Sequence, residues 1–265
     1  MLGAIAGDII GSVYEAAPIK TTDFPLFVEA STFTDDTVLT VAAASALLGD
    51  GDYARALKRF ARAYPHAGYG RSFYQWMLSD ASEPYHSWGN GAAMRVSPVA
   101  FAFDTPEAVV DEAAHCAAVT HDHPEGIKGA QATALAIFLA RRGCNRKTIR
   151  SAITERFGYD LDRRLDDIRP GYRFDVSCAG SVPEAMIAFL EASDFEQAVR
   201  NAVSLGGDSD TQACIAGALA QARFGGVPET IAEAVYARLP AELIEVIAAF
   251  HSRFRLSRSG EPLGD

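Results

Sequence analysis

The sequence predicts an all-α protein, a compact single-domain helical bundle, and three observations carry that expectation. Alanine dominates the apolar residues, and long stretches such as 38–48 and 213–222 are made of residues that enter helices readily. Alternating β-branched runs bounded by turn residues, the mark of half-buried strands, are scarce. Gly3, Gly7 and Gly11 recur every fourth residue, so on a helix they form one smooth stripe against which a second backbone can pack closely.

The first helix carries that stripe towards Glu15 and ends before Pro18. Asp8 and Glu15 lie seven residues apart, on one helical face. Residues 16–33, with Pro18, Pro25 and a Thr21-Thr22 pair, are expected to be a loop, placed between an acid and an acidic cluster as a mobile lid would be. Helices are expected at 35–49, 52–63 and 70–79, followed by a turn-rich stretch at 80–92. They resume at 93–103, 106–118, 125–142 and 145–157. Residues 158–180 are irregular and polar in their first half, and helices return at 181–192, 194–204, 210–223, 228–237 and 240–250. No linker, composition shift or repeat divides the chain, so one domain over 1–255 is expected, with 256–265 as a flexible polar tail.

Composition narrows the function classes. At 265 residues and 49% hydrophobic content the chain can bury a sizeable core. A formal net charge of −10 argues against nucleic acid or an anionic membrane as the main partner. Cys116, Cys144, Cys178 and Cys214 are far apart without zinc-type spacing, as expected of scattered thiols in a reducing compartment. No stretch approaches the roughly 20 apolar residues of a membrane span. A cytoplasmic monomer is the expectation.

Two acidic clusters, Thr34-Asp35-Asp36-Thr37 and Asp208-Ser209-Asp210-Thr211, each precede an alanine-rich helix. An acid or hydroxyl in front of a helix is ordinarily an N-cap, and capping explains either cluster taken alone. Three details exceed it. Each cluster holds two carboxylates where a cap uses one; Gly206-Gly207 allows close backbone approach before the second; and the helix dipoles favour the ionised carboxylates. If the fold joins the two helix starts, four carboxylates converge, and such a density of like charge needs protons or cations. All-oxygen donors suit Mg²⁺, Mn²⁺ or Ca²⁺ rather than zinc. With Glu15, five acids facing two divalent cations would come close to neutral.

Two further constellations stand beside the clusters. Ser87-Trp88-Gly89-Asn90-Gly91 is a turn before a helix; its backbone N–H groups could hold phosphate and Trp88 offers a flat face for a base, although a plain loop explains the same residues. Thr120-His121-Asp122-His123-Pro124 has two histidines in a loop and too few nitrogen or sulfur partners for zinc, so a polar loop and a ligand contact remain equally open.

In order along the chain, these motifs resemble the ADP-ribosylglycohydrolase family. The resemblance runs from Gly3-Ala-Ile-Ala-Gly-Asp8 through Tyr14-Glu15, Thr34-Asp35-Asp36-Thr37, Gly89-Asn90-Gly91 with Met94-Arg95, and Thr120-His121. It continues into the segment from Ser177 to Ala185 and into Gly206-Gly207-Asp208-Ser209-Asp210-Thr211. What it implies is a compact orthogonal helical bundle around a dinuclear Mg²⁺ or Mn²⁺ centre. By motif position the metal ligands would be Thr34, Asp35, Asp36, Asp208, Asp210 and Thr211. Ser87, Trp88, Gly89, Asn90 and Gly91 would hold the diphosphate and adenine, with His121 touching the ligand. Glu15, on a flap, Asp35 and Asp208 would serve the chemistry.

The implied reaction is hydrolysis of the bond between ribose C1 of ADP-ribose and an arginine or serine side chain. The alternatives are hydrolysis of a small ADP-ribose conjugate such as O-acetyl-ADP-ribose, a binder that does not turn over, or a crystallin-like structural member.

Overall fold

In the computed structural model, which describes residues 1–262, the chain forms fifteen helices. They are α1 (Leu2–Glu15), α2 (Asp35–Leu48), α3 (Tyr53–Ala63), α4 (Arg71–Leu78), α5 (Gly91–Met94), α6 (Ser97–Ala102), α7 (Pro106–Ala118) and α8 (Pro124–Arg141). The second half adds α9 (Arg146–Phe157), α10 (Leu165–Ile168), α11 (Cys178–Leu190), α12 (Phe195–Val203), α13 (Ser209–Phe224), α14 (Glu229–Tyr236) and α15 (Ala241–Arg253). Extended pairing among the described residues is limited to two isolated bridges, Gly89 with Ser177 and Leu256 with Pro262. The all-α class is as the sequence predicts.

The glycine stripe builds the centre. α1 lies antiparallel to α13 with the two backbones touching: a Cβ added at Gly3 would sit 2.3 Å from the Gly217 carbonyl oxygen, and one at Gly7 only 1.9 Å from that of Ala213. At Gly11 it would meet the Ser209 oxygen at 2.4 Å. No other residue type permits this approach. α13 is buried from Ser209 to Ala222, with α1, α8, α11 and α12 packed around it. α2 packs on α1 and carries α3 and α15, while α7 and α9 flank α8. The end of α1 therefore lies at the beginning of α13, and the beginning of α2 lies alongside.

Several boundaries differ from the sequence expectation, each for a local reason. The helix expected at 93–103 is two short ones, α5 and α6. Pro98 has no N–H for the Met94 carbonyl four residues earlier; that oxygen instead accepts from Cys214 Sγ (3.3 Å) and Thr40 Oγ1 (3.4 Å). α11 starts at Cys178 rather than 181, because Ser177 caps it by accepting from the Gly180 N–H at 2.9 Å. The 158–180 stretch contains the single turn α10.

The loop at 16–33 is present and fastened by cations that reach backbone carbonyls. Arg200 Nη1 donates to Thr22 O (2.9 Å) and Phe24 O (2.6 Å). Lys20 Nζ donates to Tyr172 O (2.7 Å) and to Leu205 O. Residues 256–262, expected as a loose tail, fold back: Leu256 is buried, Gln221 Nε2 donates to Gly260 O at 2.8 Å, and Val227 N donates to Ser259 O at 2.9 Å. The last three residues of that expected tail lie outside the described residues. Among the described residues no helix is long and apolar enough to cross a membrane.

Candidate active site

Because α1 ends where α13 begins, Glu15 stands beside Asp208 and Asp210; one carboxylate oxygen from each of the three lies within 4.8 Å of the others. A second trio, Asp8, Asp36 and Asp210, meets the same limit. The two acidic clusters, at opposite ends of the sequence, are thus one site, and Asp210 belongs to both trios.

Asp8 joins α2 to α1. It is fully buried, and its oxygens accept from Thr34 N (3.0 Å), Thr34 Oγ1 (2.7 Å), Thr37 N (3.1 Å) and Thr37 Oγ1. It thereby satisfies N–H groups at the start of α2 that the helix itself leaves unpaired. Thr34 also caps α2, accepting from Asp36 N at 3.3 Å. With its oxygens engaged in this way, Asp8 holds the cluster in shape rather than lying open to a ligand. The sequence marks Asp8 as unusual without giving this role, which depends on a contact between α1 and α2 that no local pattern encodes.

The other acids face a cleft of about 540 Å³. Asp36, Asp208 and Asp210 are buried, Asp35 is half-buried and Glu15 is exposed at the mouth. Asp36 Oδ1 has no hydrogen-bond partner although it is buried, while Oδ2 accepts from Thr211 Oγ1 at 3.2 Å. Desolvation and the Asp8 and Asp208 charges push the Asp35 carboxyl up to about 8. Desolvation first, then neighbouring carboxylates, raises Asp36 and Asp210 well above the usual range. Glu15 is raised by desolvation and by Asp208 and Asp8. Crowded carboxylates with an orphaned buried oxygen are a donor set suited to a hard divalent cation. The residues present therefore fit the metal centre expected from the sequence.

The Ser87–Gly91 turn forms the opposite wall and is built more tightly than its sequence suggests. Ser87 Oγ accepts from Gly89 N (3.2 Å), Asn90 N donates to Val176 O (2.8 Å), and Cys178 N donates to Trp88 O (3.1 Å). Asn90 Nδ2 donates to Asp208 Oδ2 at 2.8 Å. The Gly89 and Asn90 amides and the Asn90 side chain are therefore engaged within the protein, so their work is to orient the turn and Asp208. Gly91 leaves room for the His121 ring: a Cβ there would be 3.2 Å from Nε2. His121 is buried behind the turn, and desolvation, then the Arg95 charge, holds its imidazole well below the usual range, so it is neutral near pH 7.

At the mouth, Trp88 is half exposed, and Phe174 and Val176 join it from the irregular 158–180 stretch. Phe174, Val176, Arg71 and Tyr85 line the cleft and were not singled out by sequence. The one available signal was a pair of apolar residues, Phe174 and Val176, in a loop with no hydrophobic period.

Comparison with known proteins agrees with this geometry. The family model described as ADP-ribosylglycohydrolase matches residues 1–260. The chain belongs to the ADP-ribosylglycohydrolase family. As a member it is an enzyme, a glycohydrolase. It is 28% identical to ADP-ribosylhydrolase ARH3 of Homo sapiens, over 87% of this chain and 86% of that protein. It is 25% identical to ADP-ribosylarginine hydrolase Tri1 of Pseudomonas putida (strain GB-1), over 89% of this chain and 72% of that one. A solved structure titled as an ADP-ribosylglycohydrolase-related protein complex superposes with a TM-score of 0.72 at 25% identity, covering 95% of this chain and 96% of its own.

Proposed function

We propose that the protein hydrolyses the bond between ribose C1 of an ADP-ribosyl group and a modified side chain, releasing ADP-ribose. The observation that carries this reading is the meeting of Glu15, Asp36, Asp208 and Asp210 on the floor of a cleft whose mouth presents Trp88 and Phe174. The family membership and the likeness to ADP-ribosylhydrolases support it.

Thr34, Asp35, Asp36, Asp208, Asp210 and Thr211 would hold two divalent cations, Mg²⁺ or Mn²⁺, with Asp210 common to both because it belongs to both trios. When bound, such cations supply Lewis acidity towards ribose hydroxyls and water and offset the carboxylate charge. The remaining work falls to the chain. Trp88 and Phe174 receive the adenine, and the His121 ring behind Gly91 faces the diphosphate. The acidic floor is complementary to the positive charge that develops on the ribose as its C1 bond breaks. A water adds to C1 and gives its proton to Glu15, whose raised carboxyl makes it a stronger base than a free glutamate. The departing side-chain atom takes up a proton from solvent.

The test offers serine- and arginine-ADP-ribosylated peptides, and O-acetyl-ADP-ribose as the small conjugate, to wild type and to Asp208→Ala. Wild type should release ADP-ribose from a modified peptide, and the variant should be at least ~100-fold slower, as loss of one principal electrostatic group is. Equal release by a folded Asp208→Ala would remove the acidic cluster from the mechanism. Turnover of the small conjugate alone would reassign the substrate.

A further inference from the structure

Arg95 is fully buried, and two of its nitrogens, Nε and Nη1, have no hydrogen-bond partner. Arginine does not lose its charge in proteins, so this is a cation held out of water with part of its donor set unused. Its third nitrogen shows what the position achieves. Nη2 donates to Cys116 O (3.1 Å) and Ala117 O (3.4 Å), in the last turn of α7, and to Thr120 Oγ1 (2.8 Å). The two carbonyls belong to the negative end of a helix, which accounts for the cation being tolerated there. They do not account for the third bond.

Thr120 Oγ1 lies 2.8 Å from His121 Nδ1. A hydroxyl has one proton, and the Arg95 N–H already points at its lone pair, so that proton is free to turn to the ring. A neutral imidazole that accepts at Nδ1 carries its own proton on Nε2. Nε2 is the nitrogen next to the Ser87–Gly91 turn, facing Gly91 across 3.2 Å from where a Cβ would be. Tyr85 packs edge-on against the same ring, with centroids 5.9 Å apart, and steadies its plane. The Tyr85 hydroxyl also interacts with Thr120 and is the one competitor for the threonine proton.

We propose that Arg95 is a positioning residue: through Thr120 it fixes the His121 tautomer, so that Nε2–H is presented to the cleft as a hydrogen-bond donor for an anionic ligand oxygen. That the oxygen belongs to the diphosphate of ADP-ribose rests on the function proposed above; the tautomer does not. The buried cation is then explained by two tasks, closing α7 and aiming a hydroxyl. The low proton affinity of His121 serves the same end, because a neutral ring with a set tautomer is a donor of one fixed direction across neutral pH.

Protein labelled with ¹⁵N at its six histidines, with the His121 signal identified by its loss in His121→Gln, tests the tautomer directly by long-range ¹H–¹⁵N correlation at pH 7. The expected pattern is a protonated Nε2 and an accepting Nδ1 in the metal-free wild type. A protonated Nδ1, or an even mixture, would overturn the proposal whatever the ligand. Thr120→Val keeps the shape and leaves the Arg95 bonds to α7 intact; it should yield a tautomer mixture and weaken calorimetric binding of free ADP-ribose about tenfold. Thr120→Ser restores the hydroxyl and should bind within about twofold of wild type. An unaltered tautomer in folded Thr120→Val would show that Arg95 only caps α7. If wild type has the expected tautomer yet does not bind ADP-ribose, the functional reading fails and the positioning role stands.

Discussion

Asp210 is the residue on which the two halves of the site depend, since both trios include it. Asp210→Asn removes one charge from a crowded group while keeping size and most hydrogen bonds. Metal-free protein should therefore be as stable as wild type or slightly more so by thermal melting, because like-charge repulsion is relieved. Divalent-cation affinity should fall by at least ~10-fold in a calorimetric titration, as it does when a ligand or its support is lost. Asp8 should behave in the opposite way. Asp8→Ala strands the Thr34 and Thr37 N–H groups inside the protein and should cost about 2–3 kcal/mol in denaturant unfolding. Stability near that of wild type would mean that water replaces the carboxylate.

At this scale the sequence was informative about residue types and less so about duties. The paired acids in Thr34–Thr37 and Asp208–Thr211 exceed what capping needs, and they do converge. Asn90 and Ser87 were expected to hold ligand, but their polar atoms are used on Asp208 and on the turn. Which partner a polar side chain takes is set by elements distant in the chain, so a local motif cannot supply it.

Among the elements, the pairing of α1 with α13 determines whether the acids meet at all. Gly7→Ala would place a methyl group 1.9 Å from the Ala213 carbonyl oxygen. The helices must separate, at about 1–3 kcal/mol for overpacking a tight interface. Glu15 and Asp208 would separate with them, so metal affinity should fall even though no ligand is altered. A Gly7→Ala protein with wild-type affinity and stability would show that the close contact is not what positions the site. The stripe at Gly3, Gly7 and Gly11 made this packing legible in sequence, although not its partner. Helix boundaries were less legible: Pro98 breaks one expected helix, and Ser177 begins another early.

The whole molecule carries a second buried ionisable group far from the cleft. His251 on α15 is buried with Nε2 unpartnered; desolvation, then the N-terminal charge, brings it down to about 4. The sign follows from proton counting. Between pH 6.5, its ordinary value, and about 4, the unfolded chain binds a proton that the folded one refuses, so stability falls as pH falls through that window. The full loss is up to about 3 kcal/mol. His251→Asn should flatten the melting temperature against pH between 7 and 4.5; an unchanged slope would assign the acid sensitivity to other groups.

The all-α class was legible from composition because alanine-rich helices leave little else possible. The docking of residues 256–262 was not, since it depends on Gln221 within a buried helix. The choice between serine and arginine substrates rests on cleft-mouth residues such as Arg71 and Phe174, which come together only in the fold.

The central claim is that this acidic cleft cleaves ADP-ribosyl bonds with divalent cations bound by its carboxylates. The most direct measurement follows ADP-ribose release from a modified peptide by chelator-treated protein as Mg²⁺ or Mn²⁺ is added back. Release should be near background without metal and rise to a plateau with the same concentration dependence as calorimetric metal binding. Undiminished release in chelator, or no release from protein saturated with either metal, would contradict the account.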